Sequence, residues 1–115
     1  MDQVAVITLP WPPKQLSPNF RSRSHWPRTN ALKKARQWAQ WAAYGTEAPE
    51  SEVIRLRLEC YPPARWHFDR DGLLSRCKAY LDGLADAWKV NDSRFDARVV
   101  INDPVKGGKI IVVVE

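Results

Sequence analysis

The chain has 115 residues, 44% of them hydrophobic, with 18 Lys or Arg against 13 Asp or Glu and a net charge of +5. That length suits one domain, residues 1–115, with a modest core, and no apolar run approaches the roughly 20 residues that would span a membrane. Met1-Asp2-Gln3-Val4 is not a basic stretch leading into a long apolar one, so no signal peptide and a cytoplasmic location are expected.

Val4 to Leu9 is β-branched and apolar and is stopped by Pro10, Pro12 and Pro13, which predicts a buried strand. From Pro10 to Thr29, prolines, serines and the arginines Arg21, Arg23 and Arg28 predict a basic surface loop without helix. Trp11, Phe20 and Trp26 are interleaved there. They either stack on a nucleic-acid strand or pack back to anchor the loop. Asn30 predicts the cap of a helix running to about Tyr44, with Gly45 as its stop. Leu32, Ala35, Ala39 and Ala42 form its apolar face; Lys33, Lys34 and Arg36 lie off that face, and Trp38 and Trp41 border it as packing residues.

Glu52 to Tyr61 alternates, with Ile54, Leu56, Leu58 and Cys60 on one side and Arg55, Arg57 and Glu59 on the other. This predicts a half-buried strand. After Pro62-Pro63 a loop, Ala64 to Phe68, leads to Asp69. Apolar residues at helical spacing from Leu73 to Trp88 predict one helix over about 70–88. Asn91-Asp92-Ser93 is a short loop, Ala97 to Ile101 a strand, and Lys109 to Val114 a last strand after a turn at Gly107-Gly108. The fold class expected is α+β: one small domain in which two main helices pack on a mixed sheet. Cys60 and Cys77 both fall on apolar faces and are expected to be reduced core residues; with His25 and His67 far apart, no zinc pattern exists.

Charge is divided along the chain. Residues 1–46 hold seven Lys or Arg and one acid, whereas residues 47–115 hold 11 Lys or Arg and 12 acids. A basic half suggests a polyanionic partner. The acidic half holds a candidate site. Asp69 and Asp71 stand two residues apart at a predicted helix N-terminus, where the dipole favours negative charge. So close a pair calls for a cation or an Arg, and Mg²⁺ binds through a few carboxylates while keeping waters. Asp92 is a candidate third ligand. Asp71, Ser75, Lys78 and Asp82 fall on one helical stripe beside the apolar face, and Lys78, about 10 Å along from Asp71, could hold a phosphate. The plainer alternative is a set of N-terminal helix acids, a solvated face of ion pairs and a turn residue.

These residues resemble the RusA family of Holliday junction resolvases, which are often phage-encoded. Leu9-Pro10-Trp11-Pro12-Pro13 resembles the family's strand-then-proline opening, and Ser17-Pro18-Asn19 with Arg21 and His25-Trp26 resembles the loop of one branch. Phe68-Asp69-Arg70-Asp71-Gly72-Leu73-Leu74 resembles the Asp-x-Asp-Asn-Leu-Leu signature. Lys78 to Asp86 and Asn91 to Phe95 resemble the lysine helix and the Asp-Asp-Ser loop. The resemblance implies a homodimer, with one Mg²⁺-binding aspartate cluster per subunit (Mn²⁺ able to substitute), that nicks four-way junctions symmetrically in DNA recombination and repair. Carried over by position, Asp69, Asp71 and Asp92 are the catalytic metal ligands and Lys78 the catalytic-site lysine. Asn19, Arg21, Arg23, Arg28, Lys33, Lys34 and Arg36 are expected on the DNA. Two departures stand out: Gly72 replaces the signature's Asn, and Asn91 replaces an acid. They motivate an alternative, a RusA-like protein that binds branched DNA without cutting.

Overall fold

Four β-branched or alternating segments form strands in the computed structural model, which describes residues 5–17, 20–65 and 68–115. The strands are β1 (Ala5–Pro10), β2 (Ile54–Tyr61), β3 (Phe95–Ile101) and β4 (Lys109–Val114); the helices are α1 (Trp26–Ala42), α2 (Arg70–Arg76) and α3 (Lys78–Trp88). Met1, Asp2, Gln3, Val4, Pro18, Asn19 and His67, each named above, lie outside the described residues. The sheet order is β1-β4-β2-β3, with β4 antiparallel to β1 and β2, and β2 parallel to β3. A parallel pair needs a crossover, and α2 and α3 supply it. The result is an α+β fold with a mixed sheet.

The alternation of β2 decides which face is buried. Ile54, Leu56, Leu58 and Cys60 are inaccessible, and their register partners Val99, Ile110, Val112 and Val114 join them in the core. Each fully buried Leu or Ile contributes roughly 1.5–3 kcal/mol. On the opposite face Arg57 pairs with Glu59 at 2.9 Å and Glu115 at 3.2 Å, and Arg98 reaches Glu115 at 3.3 Å. Pro10 ends β1 at the edge of the sheet, where its missing N–H breaks no ladder.

Helix α1 begins at Trp26, four residues before the expected cap at Asn30. Pro27 sits in its first turn, where a proline N–H would have had no partner anyway. Its buried stripe is Ala31, Ala35, Ala39 and Ala43 rather than Leu32, Ala35, Ala39 and Ala42, and Leu32 is 42% exposed. The small stripe faces α3 at Gly83. A Cβ at that glycine would lie 2.2 Å from the Arg36 carbonyl oxygen and 2.8 Å from the Ala39 Cβ. A leucine pointing into that crossing would not fit, so the helix turns its alanines inward.

The single helix expected over 70–88 is two. At Cys77 the backbone flattens to φ −92° and ψ 0°. The Cys77 N–H closes α2 on Leu73 and Leu74 carbonyls, and the Cys77 carbonyl accepts from Tyr80 and Leu81 to open α3. Cys77 and Cys60 are both free and buried. A hydrogen bond to Cys60 and burial push the Cys77 thiol well above its ordinary range. The proline loop is tied to these helices. Tyr80 Oη donates to the Pro10 carbonyl at 2.7 Å, and Arg76 donates to the Pro12 carbonyl at 2.9 Å with its guanidinium 5.7 Å from the Trp11 ring. Trp11 also meets Phe68 edge-on at 5.3 Å, so this aromatic anchors the loop. Among the described residues no helix is long and apolar enough to cross a membrane.

The α1–α3 crossing gives the first prediction. Gly83→Ala forces backbone against backbone and should cost about 1–3 kcal/mol. Urea denaturation should show a lower midpoint with an unchanged slope.

Candidate functional site

Asp69 has extended backbone, φ −98° and ψ 157°, and is the N-cap of α2. Its Oδ1 accepts from the Gly72 N–H at 2.5 Å. A Cβ at position 72 would stand 2.8 Å from that same oxygen, so a larger residue there would require the carboxylate to shift slightly. Gly72, the departure from the family signature, still seats Asp69 on the helix end through its N–H. Its backbone carbonyl accepts from the Leu73 N–H at 3.1 Å, the first bond of the helix. Asp71 follows in the first turn and is exposed. Both acids sit where the helix dipole favours them.

Asp92 returns toward the start of α3, beside Lys78, from the other end of that helix. Lys89, at φ 56° and ψ 45°, ends that helix in the left-handed conformation, and the Val90 N–H donates to the Ala85 carbonyl. Asn91 then accepts from the Ser93 N–H at 2.9 Å and fixes a 3₁₀ turn over Asp92–Arg94. The amide oxygen of Asn91, the residue that replaces an acid of the signature, thus holds the loop. This turn leaves Asp92 Oδ2 3.9 Å from Lys78 Nζ. Both side chains are about half exposed or more, so the contact contributes no more than about 1 kcal/mol. Its value is positional.

Lys78 and Asp92 line a cleft of about 470 Å³ with Ser75 and Asp96 on its polar side and Leu74, Leu81, Phe95 and Ala97 on its apolar side. Asp96 was missed in the sequence because the strand was taken to begin at Ala97; the β3 ladder begins at Phe95. Ser75 and Lys78 keep the company expected from their helical stripe. Asp82 lines an adjoining hollow with Arg36, Asp86, Asn91 and Asp92, and Asp71 lines neither. The carboxylates are hard oxygen donors of the kind Mg²⁺ takes, and they are accessible. Among the described residues, however, no three His, Cys, Asp or Glu side chains form a group that could hold a metal ion by themselves. Asp69, Asp71 and Asp92 of one chain thus offer suitable donors without closing a cage, and water and phosphate oxygens would have to fill the remaining positions.

The basic residues divide into two sets. Arg21, Arg23, Lys33 and Lys34 are exposed, with Lys34 lying 6.0 Å from the Trp38 ring. Arg28 and Arg36 were expected on DNA but have protein partners. Arg28 donates to the Ser17 carbonyl at 2.7 Å and holds the loop. Arg36 pairs bidentately with Asp86, at 2.5 and 2.8 Å, across the α1–α3 crossing. That hydrogen bond and charge hold the Asp86 carboxyl below the usual carboxylate range. Asn19 lies outside the described residues.

No protein-family model matches the chain. It is 39% identical over 119 residues to an uncharacterised protein of Xylella fastidiosa, covering 97% of this chain and 76% of that protein. It is 32% identical over 111 residues to the crossover junction endodeoxyribonuclease RusA of Escherichia coli, covering 90% of this chain and 88% of that protein.

Two predictions follow from the geometry. Asp69→Ala removes the cap and should cost about 1 kcal/mol, whereas Asp69→Asn keeps an accepting oxygen and should be close to neutral in thermal denaturation. Asp86 contributes stability above its unfolded pKa and loses it as pH falls through the depressed folded value. Because the pair is substantially exposed, Asp86→Asn should cost no more than about 1 kcal/mol at pH 7. That gap should close on acidification when the two proteins are compared by urea denaturation.

Proposed function

The chain belongs to the RusA-like family, and from that premise we propose that it is a metal-dependent, structure-specific endodeoxyribonuclease that resolves four-way DNA junctions by paired nicks, working as a homodimer. The observation that carries this reading is the return of Asp92 to Lys78, 3.9 Å apart at the mouth of one cleft. Sequence spacing alone could not bring the two ends of the α3 segment together.

Asp69, Asp71 and Asp92 are the residues that would hold Mg²⁺ or Mn²⁺. Such an ion supplies a Lewis acid for a phosphodiester and lowers the pKa of a bound water. Lys78 brings an ammonium to the cleft, where it neutralises charge on a phosphoryl oxygen. Its 3.9 Å spacing from Asp92 is too long for a strong hydrogen bond, which leaves its donors for an anion. Asp69 is oriented through its bond to Gly72, so its second oxygen has a fixed direction. Arg21, Arg23, Lys33 and Lys34 supply backbone affinity that carries no sequence information. A two-fold dimer suits a four-way junction, which presents two equivalent cleavage points.

The test is cleavage of a synthetic four-way junction in Mg²⁺, in Mn²⁺ and with chelator, beside a linear duplex of the same sequence. Paired, metal-dependent nicks confined to the junction are expected. Asp69→Asn, Asp71→Asn and Asp92→Asn should each reduce the cleavage rate by more than about 100-fold. Junction binding should persist or tighten, because negative charge has been removed. Asp69→Asn is the decisive member, since it keeps the helix cap and separates chemistry from folding. Tight junction binding by the unaltered chain with no cutting in either metal would instead favour the non-cleaving binder.

A further inference from the structure

The outer face of α1 is largely exposed, and its composition is unusual for a solvated helix. Trp26 is 60% exposed and Trp41 66% exposed, and Tyr44, in the turn that follows, is 91% exposed. Positions 26, 30, 33, 37 and 41 recur every three or four residues, so Trp26, Asn30, Lys33, Gln37 and Trp41 share one face, and Tyr44 stands in the turn just past the end of the helix. That face lies opposite the buried stripe of Ala31, Ala35 and Ala39. The residues Trp26–Ala42 contain two Arg and two Lys and no Asp or Glu. Trp41 was expected to pack; the alanine stripe turns it outward instead.

We infer that this face of α1 is a base-stacking surface, on which unstacked nucleobases at a DNA branch point lie against Trp41 and Tyr44 while Lys33 and Lys34 take the adjoining phosphates. The inference rests on the nuclease reading above and names the part of the substrate this helix receives. Charge complementarity selects the occupant. A helix surface bearing cations, amides and aromatic rings but no carboxylate matches a partner that is polyanionic and offers flat π-faces. The helix also reaches the candidate site on its flank, where Arg36 lines the same hollow as Asp82, Asn91 and Asp92. Bases inside a continuous duplex are stacked on one another, and freeing one costs least where pairing is already interrupted. Aromatic residues here therefore favour a branch over a linear duplex, a preference that lysines alone cannot supply.

The experiment measures binding of the full chain to a four-way junction carrying 2-aminopurine at the branch point, and to a linear duplex, with chelator present so that no strand is cut. The Trp41→Ala/Tyr44→Ala double variant should lose about 10-fold or more in junction affinity. Its duplex affinity and its salt slope should be unchanged, because no charge is removed. The unaltered chain should change the 2-aminopurine fluorescence and the double variant should not, while Trp41→Phe/Tyr44→Phe, which keeps both rings, should restore both signals. Unchanged junction affinity and fluorescence response in a folded double variant would overturn the inference and leave the nuclease reading standing. A shift from dimer to monomer in that variant would also overturn it, identifying a second copy as the occupant. Failure of the unaltered chain to bind any junction would instead bring down the nuclease reading itself.

Discussion

Everything the candidate site needs depends on how closely α1 crosses α3. Gly83 meets the Arg36 carbonyl and Ala39 with no room for a Cβ, so the two backbones touch and cannot slide without a clash. This fixes three things together. It turns the alanine stripe of α1 inward and Trp26 and Trp41 outward. It brings Arg36 onto Asp86, whose bidentate pairing sets the rotation of one helix on the other. It also positions α3, from whose end the left-handed Lys89 and the Asn91 turn carry Asp92 back beside Lys78. Small residues achieve this because dispersion and burial fall off steeply with separation, and a close backbone approach recovers what small side chains lack in area.

The electrostatics follow from that packing. The N-terminal part of the chain is cationic, yet two of its arginines are held by the protein, Arg28 on the Ser17 carbonyl and Arg36 on Asp86. The exposed cations, Arg21, Arg23, Lys33 and Lys34, lie on the loop and on the outside of α1. The acids Asp92, Asp96 and Asp82 lie in and beside the cleft. A polyanion drawn to the cationic surface is thus delivered to the rim of an acidic hollow, which it would avoid unless a cation intervened. A basic surface supplies affinity, and an acidic cleft imposes a requirement for a counter-charge at the point of contact.

Much of the sheet was legible because alternation leaves little choice: Ile54, Leu56, Leu58 and Cys60 could only face one way. Helix boundaries were less so. The start of α1 was hidden by Pro27, which reads as a breaker in the sequence but is tolerated in a first turn. The break at Cys77 leaves the apolar periodicity unchanged, so no pattern could show it. At the site, the order of Asp69, Asp71, Lys78 and Asp92 and the helical stripe through Ser75 could be read, but their spatial relations could not. The return of Asp92 depends on a left-handed Lys89, a conformation that a lysine does not advertise. The protein partners of Arg28 and Arg36 lie 11 and 50 positions away, beyond any local rule.

The two departures from the family signature make sense as part of one local design. Gly72 still offers its backbone N–H to the Asp69 carboxylate, which the helix dipole also favours. Asn91 plays a part at the far end of α3, where its amide oxygen closes the turn that carries Asp92. Neither departure removes what holds the neighbouring acid. The buried sheet face and the α1–α3 crossing carry most of the stability, and the carboxylates stay on the surface where they are accessible.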